Sequence, residues 1–303
     1  MPYDSHIDRS GPRPELLLGV DGGGTGCRAR LRRADGTTLG EGRGGPANIR
    51  LGLTASWAAI LEAVDGALAA ARLDRAALPR IAAGLGLAGI MTAEDATRFC
   101  AGAPPFGRLR AASDAHTACL GAFGGQDGGI VIAGTGSAGY CIVGGRGRGI
   151  GGWGFEVSDE GSGAWIGRQS IRAALNAHDG LMEGSPFTTA VLDMLGGTPD
   201  RVVGWVTGAR PAEYGRLAPL ALSYARESDP VAATILARAG EAIGAIAARL
   251  VALGAPAVCL MGGLADPIRA FLPPGIPPRL VPARGDAMEG AILLAANARG
   301  DDR

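Results

Sequence analysis

Asp21 closes an apolar run and opens onto a triple glycine; residues 16–26 read LLLGVDGGGTG. Apolar residues in a short unbroken run predict a buried strand. Glycines without a Cβ let backbone N–H groups come close to an anion. A carboxylate beside phosphates repels them unless a divalent cation lies between. Asp21 with Gly22, Gly23, Gly24 and Thr25 therefore points to Mg²⁺ and polyphosphate chemistry. A second unit of the same kind follows at residues 130–140, IVIAGTGSAGY, with Gly134, Thr135, Gly136 and Ser137 in its loop. Two such loops facing each other would clamp a triphosphate from both sides.

These loops need elements to hold them. After the first loop, Asp35-Gly36 sits between two extended segments and predicts a β-hairpin. Residues 57–73 carry apolar and alanine residues at helical spacing, with Thr54 or Ser56 as N-cap. Residues 80–86 predict a strand, 92–100 a short helix, and 108–112 a strand ending at Ser113-Asp114. The order is βββαβαβ. It recurs in pattern, not in residues, from the strand at 129–133 through strands at 139–143 and 149–153 to a helix over 163–176. The repeat implies two similar α/β domains facing a cleft. Residues 185–228 read as helical without a motif, and 231–253 as an amphipathic helix. A strand at 257–261 runs into Gly262-Gly263, and 285–298 forms a terminal helix. The expected division is an N-terminal domain over 14–114, completed by the terminal helix, a C-terminal domain over 115–284, and a disordered tail over 1–13.

Composition excludes several classes. The chain has 29 basic and 29 acidic residues and a formal net charge of +0, so no basic field draws nucleic acid or an anionic membrane. It contains no lysine. A Walker A loop, Schiff-base chemistry and protein-kinase catalysis all need one. Its five cysteines form no CxxC pair and read as buried reduced thiols of a cytoplasmic protein. The polar N-terminus does not resemble a signal peptide. The apolar stretch around 242–261 is interrupted by Arg249, Gly254 and Pro256, too broken to span a bilayer. Gly134-x-Gly136-x-x-Gly139 matches the dinucleotide fingerprint in letters, and Gly24-x-Gly26-x-x-Ala29 its looser form. Strand-like residues follow each where that fingerprint requires a helix. His116 has no nucleophile elbow to accompany it, so it reads as a surface or supporting residue.

Asp114 follows a strand end and precedes a helix, where ligand-facing residues of α/β sheets cluster. The competing role is N-cap of the helix starting near His116. DGGGTG, GTGS, GGWGFEVSDEGSGAWIG and MGGLAD together resemble the BadF/BadG/BcrA/BcrD ATPase family, and within it the N-acetylglucosamine kinases of the sugar kinase, Hsp70 and actin superfamily. The resemblance spans about residues 16–296. It implies two actin-like (ribonuclease H-like) α/β domains with the active site in the cleft between them, ATP and Mg²⁺, and a homodimer. It implies that Asp21 holds Mg²⁺, that Gly22–Thr25 and Gly134–Ser137 cradle phosphates, and that Gly262 and Gly263 pack near the adenosine. Ser113-Asp114-Ala115 matches the family's catalytic segment, so Asp114 would be the general base. Asn48, Gly152, Trp153 and Asp159 would contact the sugar, with a backbone contact at Ala88-Gly89. Turn formation for Asn48, helix capping for Asp159 or Glu160 and core packing for Trp153 are the local alternatives. The implied activity is phosphorylation of N-acetylglucosamine at its 6-hydroxyl. Free glucosamine is the alternative substrate, and a regulatory ATPase acting on a protein partner the alternative class. A related branch carries an iron–sulfur cluster, for which these cysteines supply no motif.

Overall fold

A computed structural model describes residues 5–8 and 15–296. The chain divides into two compact units. The first holds the described residues up to Gly128, residues 141–148 and those from Pro282 onward; the second holds Gly129–Tyr140 and Gly149–Val281.

The first unit is built on β1 (Ser5–Asp8), β2 (Leu16–Gly22), β3 (Cys27–Arg33), β4 (Thr38–Gly44), β5 (Ile81–Leu87) and β6 (Arg108–Ser113). Their order in the sheet is β1-β6-β5-β2-β3-β4. β2, β5 and β6 are parallel, and Asp21, Gly86 and Ala112 stand in one row across them. β5 is buried along its whole length, as a central parallel strand covered on both faces must be. β2, β3 and β4 form an antiparallel meander, with Asp21 directly opposite Arg28. Where composition implies a disordered tail over 1–13, residues Ser5–Asp8 instead pair antiparallel with β6. The remaining tail residues lie outside the described ones.

Helix α1 (Leu53–Ala70) rides on β4 through small residues. Gly40, Gly42 and Gly44 alternate along the strand, and Ala59, Ala63 and Ala67 recur every fourth residue along the helix. Two strand residues rise about 6.6 Å and four helix residues about 6 Å, so the two stripes stay in step. A Cβ on Gly40, Gly42 or Gly44 would overlap the carbonyl oxygen of Ala67, Ala63 or Ala59 respectively. The helix starts at Leu53 with Gly52 as N-cap, not at the expected Thr54 or Ser56. The Ser56 hydroxyl is used elsewhere, donating to the Asn48 carbonyl at 2.7 Å. Helix α2 (Ala93–Ala101) begins with a Thr92/Asp95 capping box, and α3 (Asp114–Phe123) follows β6 without a loop.

A second sheet consists of β7 (Gly128–Ala133), β8 (Ser137–Val143), β9 (Arg146–Gly151) and β10 (Val258–Met261), ordered β10-β7-β8-β9; the second unit holds β10, nearly all of β7, the first half of β8 and the last half of β9. β10 runs parallel to β7. The helices are α4 (Gly163–His178), α5 (Pro186–Met194), α6 (Pro199–Gly208), α7 (Pro211–Gly215), α8 (Ala218–Arg226), α9 (Pro230–Ala252) and the short α10 (Ala265–Ile268). Ser162 caps α4, and the buried Asp229 carboxylate caps α9 by accepting from the Val231 and Ala232 amides.

Helix α11 (Ala287–Ala296) returns to the first unit, where it packs on β2, β5 and α3. That packing holds α3 in the first unit, so the division falls after Gly128 rather than at the expected 114/115. α1 and α9 are long and apolar enough, by length and composition, to cross a membrane. The interruption read at Arg249 lies inside α9 and does not break it. Both helices bury one face: Ala59, Ala63 and Ala67 of α1 against β4, and Ile235, Ala239 and Ile243 of α9 within the second unit. All five cysteines are buried and none forms a disulfide, and burial pushes the Cys27 thiol up to about 12.

Candidate active site

The first glycine loop joins three strand ends. Gly23 N–H donates to Gly26 O at 2.9 Å, Ala47 N–H to Gly23 O at 3.0 Å, and Ala88 N–H to Gly22 O at 2.8 Å. Ile49 N–H donates to Ala88 O at 3.2 Å. Gly22, Gly23, Asn48 and Ala88-Gly89, separated by up to 67 positions, are thereby drawn into one neighbourhood at the carboxyl ends of β2 and β5. Gly24 and Thr25 form an exposed apex. Asn48 is a turn residue as well: its Oδ1 accepts from Arg50 N–H at 2.9 Å and caps the turn at Ile49–Leu51. A Cβ on Gly89 would come within 2.6 Å of that Oδ1. The cap fixes the amide, and its Nδ2 makes no hydrogen bond among the described residues.

Asp21 and Asp114 belong to the same end of the parallel strands. Arg28 Nη2 donates to Asp21 Oδ2 at 2.6 Å across the β2–β3 hairpin, which leaves Oδ1 for another partner. Arg28 is absent from the expectations above, because a strand–loop–strand reading of residues 16–33 leaves the register open.

The helix-cap alternative for Asp114 fails. Ser113 is the N-cap, its hydroxyl accepting from His116 N–H at 3.2 Å. Asp114 is the first helical residue, with Oδ1 accepting from its neighbour Ala115 N–H at 2.8 Å. Solvent reaches its carboxylate, but the group sits in a recess crowded with protein atoms. That loss of water raises its pKa above the usual carboxylate range; the Ala115 amide pulls it back, and the Asp21 charge adds to the rise. Burial lowers His116 to about 4, so its imidazole is neutral at pH 7.

The position of Asp114 depends on Gly86. Thr117 Oγ1 donates to Asp114 O at 3.1 Å, and a Cβ on Gly86 would overlap that same Oγ1. Gly86→Ala should shift the start of α3 and lower turnover by about 10²-fold, the cost of an ångström-scale misplacement. Steady-state kinetics beside a thermal melt would check this, with turnover of the folded variant lowered at temperatures well below its melting point.

The second glycine loop is anchored by the start of α4. Gly163 N–H donates to Gly134 O at 2.8 Å, Ala164 N–H to Thr135 O at 3.1 Å, and Gly134 N–H to Gly136 O at 3.0 Å. Ser137 Oγ donates to Glu160 O at 2.7 Å, so its hydroxyl is taken by the protein. Gly262, at φ +97°, lies against the end of β7, where Leu264 N–H donates to Ala133 O at 2.9 Å. Gly262-Gly263 and Gly134 are thus neighbours.

Asp159 is not a helix cap, because Ser162 is. Its carboxylate lies against Gly136, with Oδ2 2.7 Å from where a Cβ there would stand. Burial raises its pKa, while hydrogen bonds from the Gly154 and Ser137 amides lower it and the Glu160 and Glu156 charges add to the rise. Asp159 Oδ1 is buried and has no hydrogen-bond partner among the described residues. The residue also holds φ +64°, a left-handed conformation that surrounding structure must enforce. Gly152 lies beside Ala138, and Trp153 is 72% exposed, so the core reading of Trp153 does not hold.

The sequence pattern of the BadF/BadG/BcrA/BcrD ATPase family matches residues 18–275. The glucosamine kinase GspK of Vibrio cholerae serotype O1 is 37% identical over 278 residues, covering 92% of this chain and 95% of its own. An N-acetylmuramic acid/N-acetylglucosamine kinase of Clostridium acetobutylicum is 30% identical over 187 residues, 60% of each chain. A crystal structure of a provisionally assigned N-acetylglucosamine kinase from Chromobacterium violaceum superposes with a TM-score of 0.84 at 44% identity, covering 94% of this chain and 100% of that one. The fold is the two-domain, actin-like α/β fold. The chain belongs to the BadF/BadG/BcrA/BcrD ATPase family.

Proposed function

We propose that this chain is an ATP-dependent amino-sugar kinase acting in the cytoplasm, with the 6-hydroxyl of glucosamine as the favoured phosphoryl acceptor. The observation that carries the reading is Asp114: a carboxylate at the end of β6, relieved of capping by Ser113, with a raised pKa and Asp21 nearby. A carboxylate poised above its ordinary range is suited to take a proton at neutral pH. The near full-length likeness to a glucosamine kinase favours glucosamine. N-acetylglucosamine is the second reading, favoured by the Clostridium relative and the Chromobacterium structure.

In this reading, Asp114 accepts the proton of the sugar hydroxyl as that oxygen bonds to the γ-phosphorus and ADP leaves. Asn48, held by its cap, offers Nδ2 to a sugar oxygen. Asp159 offers the unpartnered Oδ1 to a sugar hydroxyl, with Gly152 and Trp153 beside it. The amides of Gly24 and Thr25 in the first loop and of Thr135 and Gly136 in the second, which donate to no other group among the described residues, take phosphate oxygens, and Gly262-Gly263 admit the adenosine closely.

The residues present fit Mg²⁺. Asp21 is a hard oxygen donor with Arg28 fixing one of its oxygens, and Mg²⁺ needs only one or two carboxylates beside phosphates and water. When bound there, the ion supplies charge neutralisation of the phosphates.

Coupled ADP release with Mg-ATP tests the reading, comparing glucosamine, N-acetylglucosamine, glucose and no sugar. Strong stimulation by an amino sugar is expected. Turnover should fall as pH drops through the raised pKa of Asp114, because the base works only when ionised. A slow rate indifferent to every sugar would indicate a regulatory ATPase.

A further inference from the structure

The helices α4 and α9 border a cavity of about 520 Å³ that none of the candidate active-site residues lines. Its size falls within the range of small-molecule sites. Ala173 and Ile235 form an apolar, buried floor. The walls are polar. Gln169, Arg172 and Asn176 recur at three- and four-residue spacing along α4, so they share a face. Thr234 and Arg238 do the same on α9, and Glu183 enters from the loop after α4.

Among the described residues neither of these two cationic side chains makes an ion pair. Arg238 is not adrift: its Cζ stands 5.7 Å from the centre of the Trp165 ring, which steadies the guanidinium while leaving its N–H donors unused. Two guanidinium forks on facing helices match a tetrahedral dianion. Two amides and a hydroxyl match sugar hydroxyls. Glu183 supplies the one negative charge, suited to an ammonium group.

We propose that this cavity is a second ligand site, distinct from the nucleotide loops, that binds a small phosphorylated amino sugar: phosphate on Arg172 and Arg238, amine on Glu183. The choice of ligand rests on the amino-sugar reading above, since that reaction makes such a compound.

Hydrogen–deuterium exchange of the nucleotide-free protein tests the site, with glucosamine 6-phosphate, glucose 6-phosphate and inorganic phosphate as separate probes. The expected result is protection of segments 169–183 and 230–238 by glucosamine 6-phosphate, weaker with the other two. In the double variant Arg172→Gln/Arg238→Gln this protection should need roughly tenfold or more ligand, as loss of charge-assisted hydrogen bonds requires. The KM for sugar and ATP should be unchanged there. Glu183→Gln should remove the preference for glucosamine 6-phosphate over glucose 6-phosphate. Absent protection, or protection identical in the double variant, overturns the site. Protection that follows protein concentration without ligand also overturns it and assigns the groove to a second copy of the chain. Failure of the kinase reading would show separately, as absent sugar-dependent ADP release.

Discussion

Asp114→Asn is expected to lower kcat by about 10²–10⁴-fold, the usual contribution of a positioned base, while nucleotide affinity stays close to wild type. The asparagine keeps an oxygen for the Ala115 amide, so the local hydrogen bond survives. Stability should move the other way. The folded-state pKa of Asp114 is raised, chiefly by burial. A raised carboxyl pKa means that the native state favours the protonated form. The stability contributed by that proton is present at low pH and is lost as pH rises through the folded value. At pH 8 the ionised carboxylate is therefore a burden on the fold. The asparagine variant should melt at or above wild type there, with the difference shrinking toward acid pH. Kinetics and melts on one preparation check both. Near-normal turnover would remove Asp114 from the base role, and a large drop in melting temperature would make the carboxylate structural.

Gly42→Val is expected to be the most damaging change away from the site. Valine is the better strand former, so local propensity alone would favour it. Packing decides otherwise. A Cβ at this position would overlap the Ala63 carbonyl oxygen in the middle of the glycine stripe that seats α1. Neither the β4 backbone nor the α1 backbone can yield without disturbing the neighbouring contacts at Gly40 and Gly44. Overpacking of this kind costs about 3 kcal/mol, equivalent to a drop of roughly 6–12 °C in melting temperature for a unit of this size. Thermal denaturation of the variant checks it; an unchanged melting temperature would show that α1 can lift without loss.

Much of this was legible from residue order. The strands ending at Gly22 and Ser113 end there because an apolar run meets a run of glycines in one case and a helix-capping serine in the other, both local signals. The two glycine loops declared themselves by composition. The turn role of Asn48 was one of two open alternatives, and its cap shows that the two roles need not compete. Other features were hidden for physical reasons. Ser113 rather than Asp114 caps α3 because a cap is defined by backbone dihedrals that adjacent Ser and Asp can each adopt. Arg28 reaches Asp21 through register, which needs the loop length and not only the strand pattern. The strand at Ser5–Asp8 pairs with β6, a long-range choice that a short polar segment does not advertise. The start of α1 at Leu53 follows from Ser56 being drawn to Asn48, again a tertiary contact overriding a local signal.

The central claim is phosphoryl transfer to a sugar rather than to water. The direct measurement is ³¹P NMR of the protein with Mg-ATP and glucosamine, followed to completion. The account predicts a new phosphomonoester signal, split by two methylene protons and growing in step with ADP, absent without sugar and lost in Asp114→Asn. Formation of ADP with inorganic phosphate alone, and no phosphomonoester with glucosamine or N-acetylglucosamine, would contradict it.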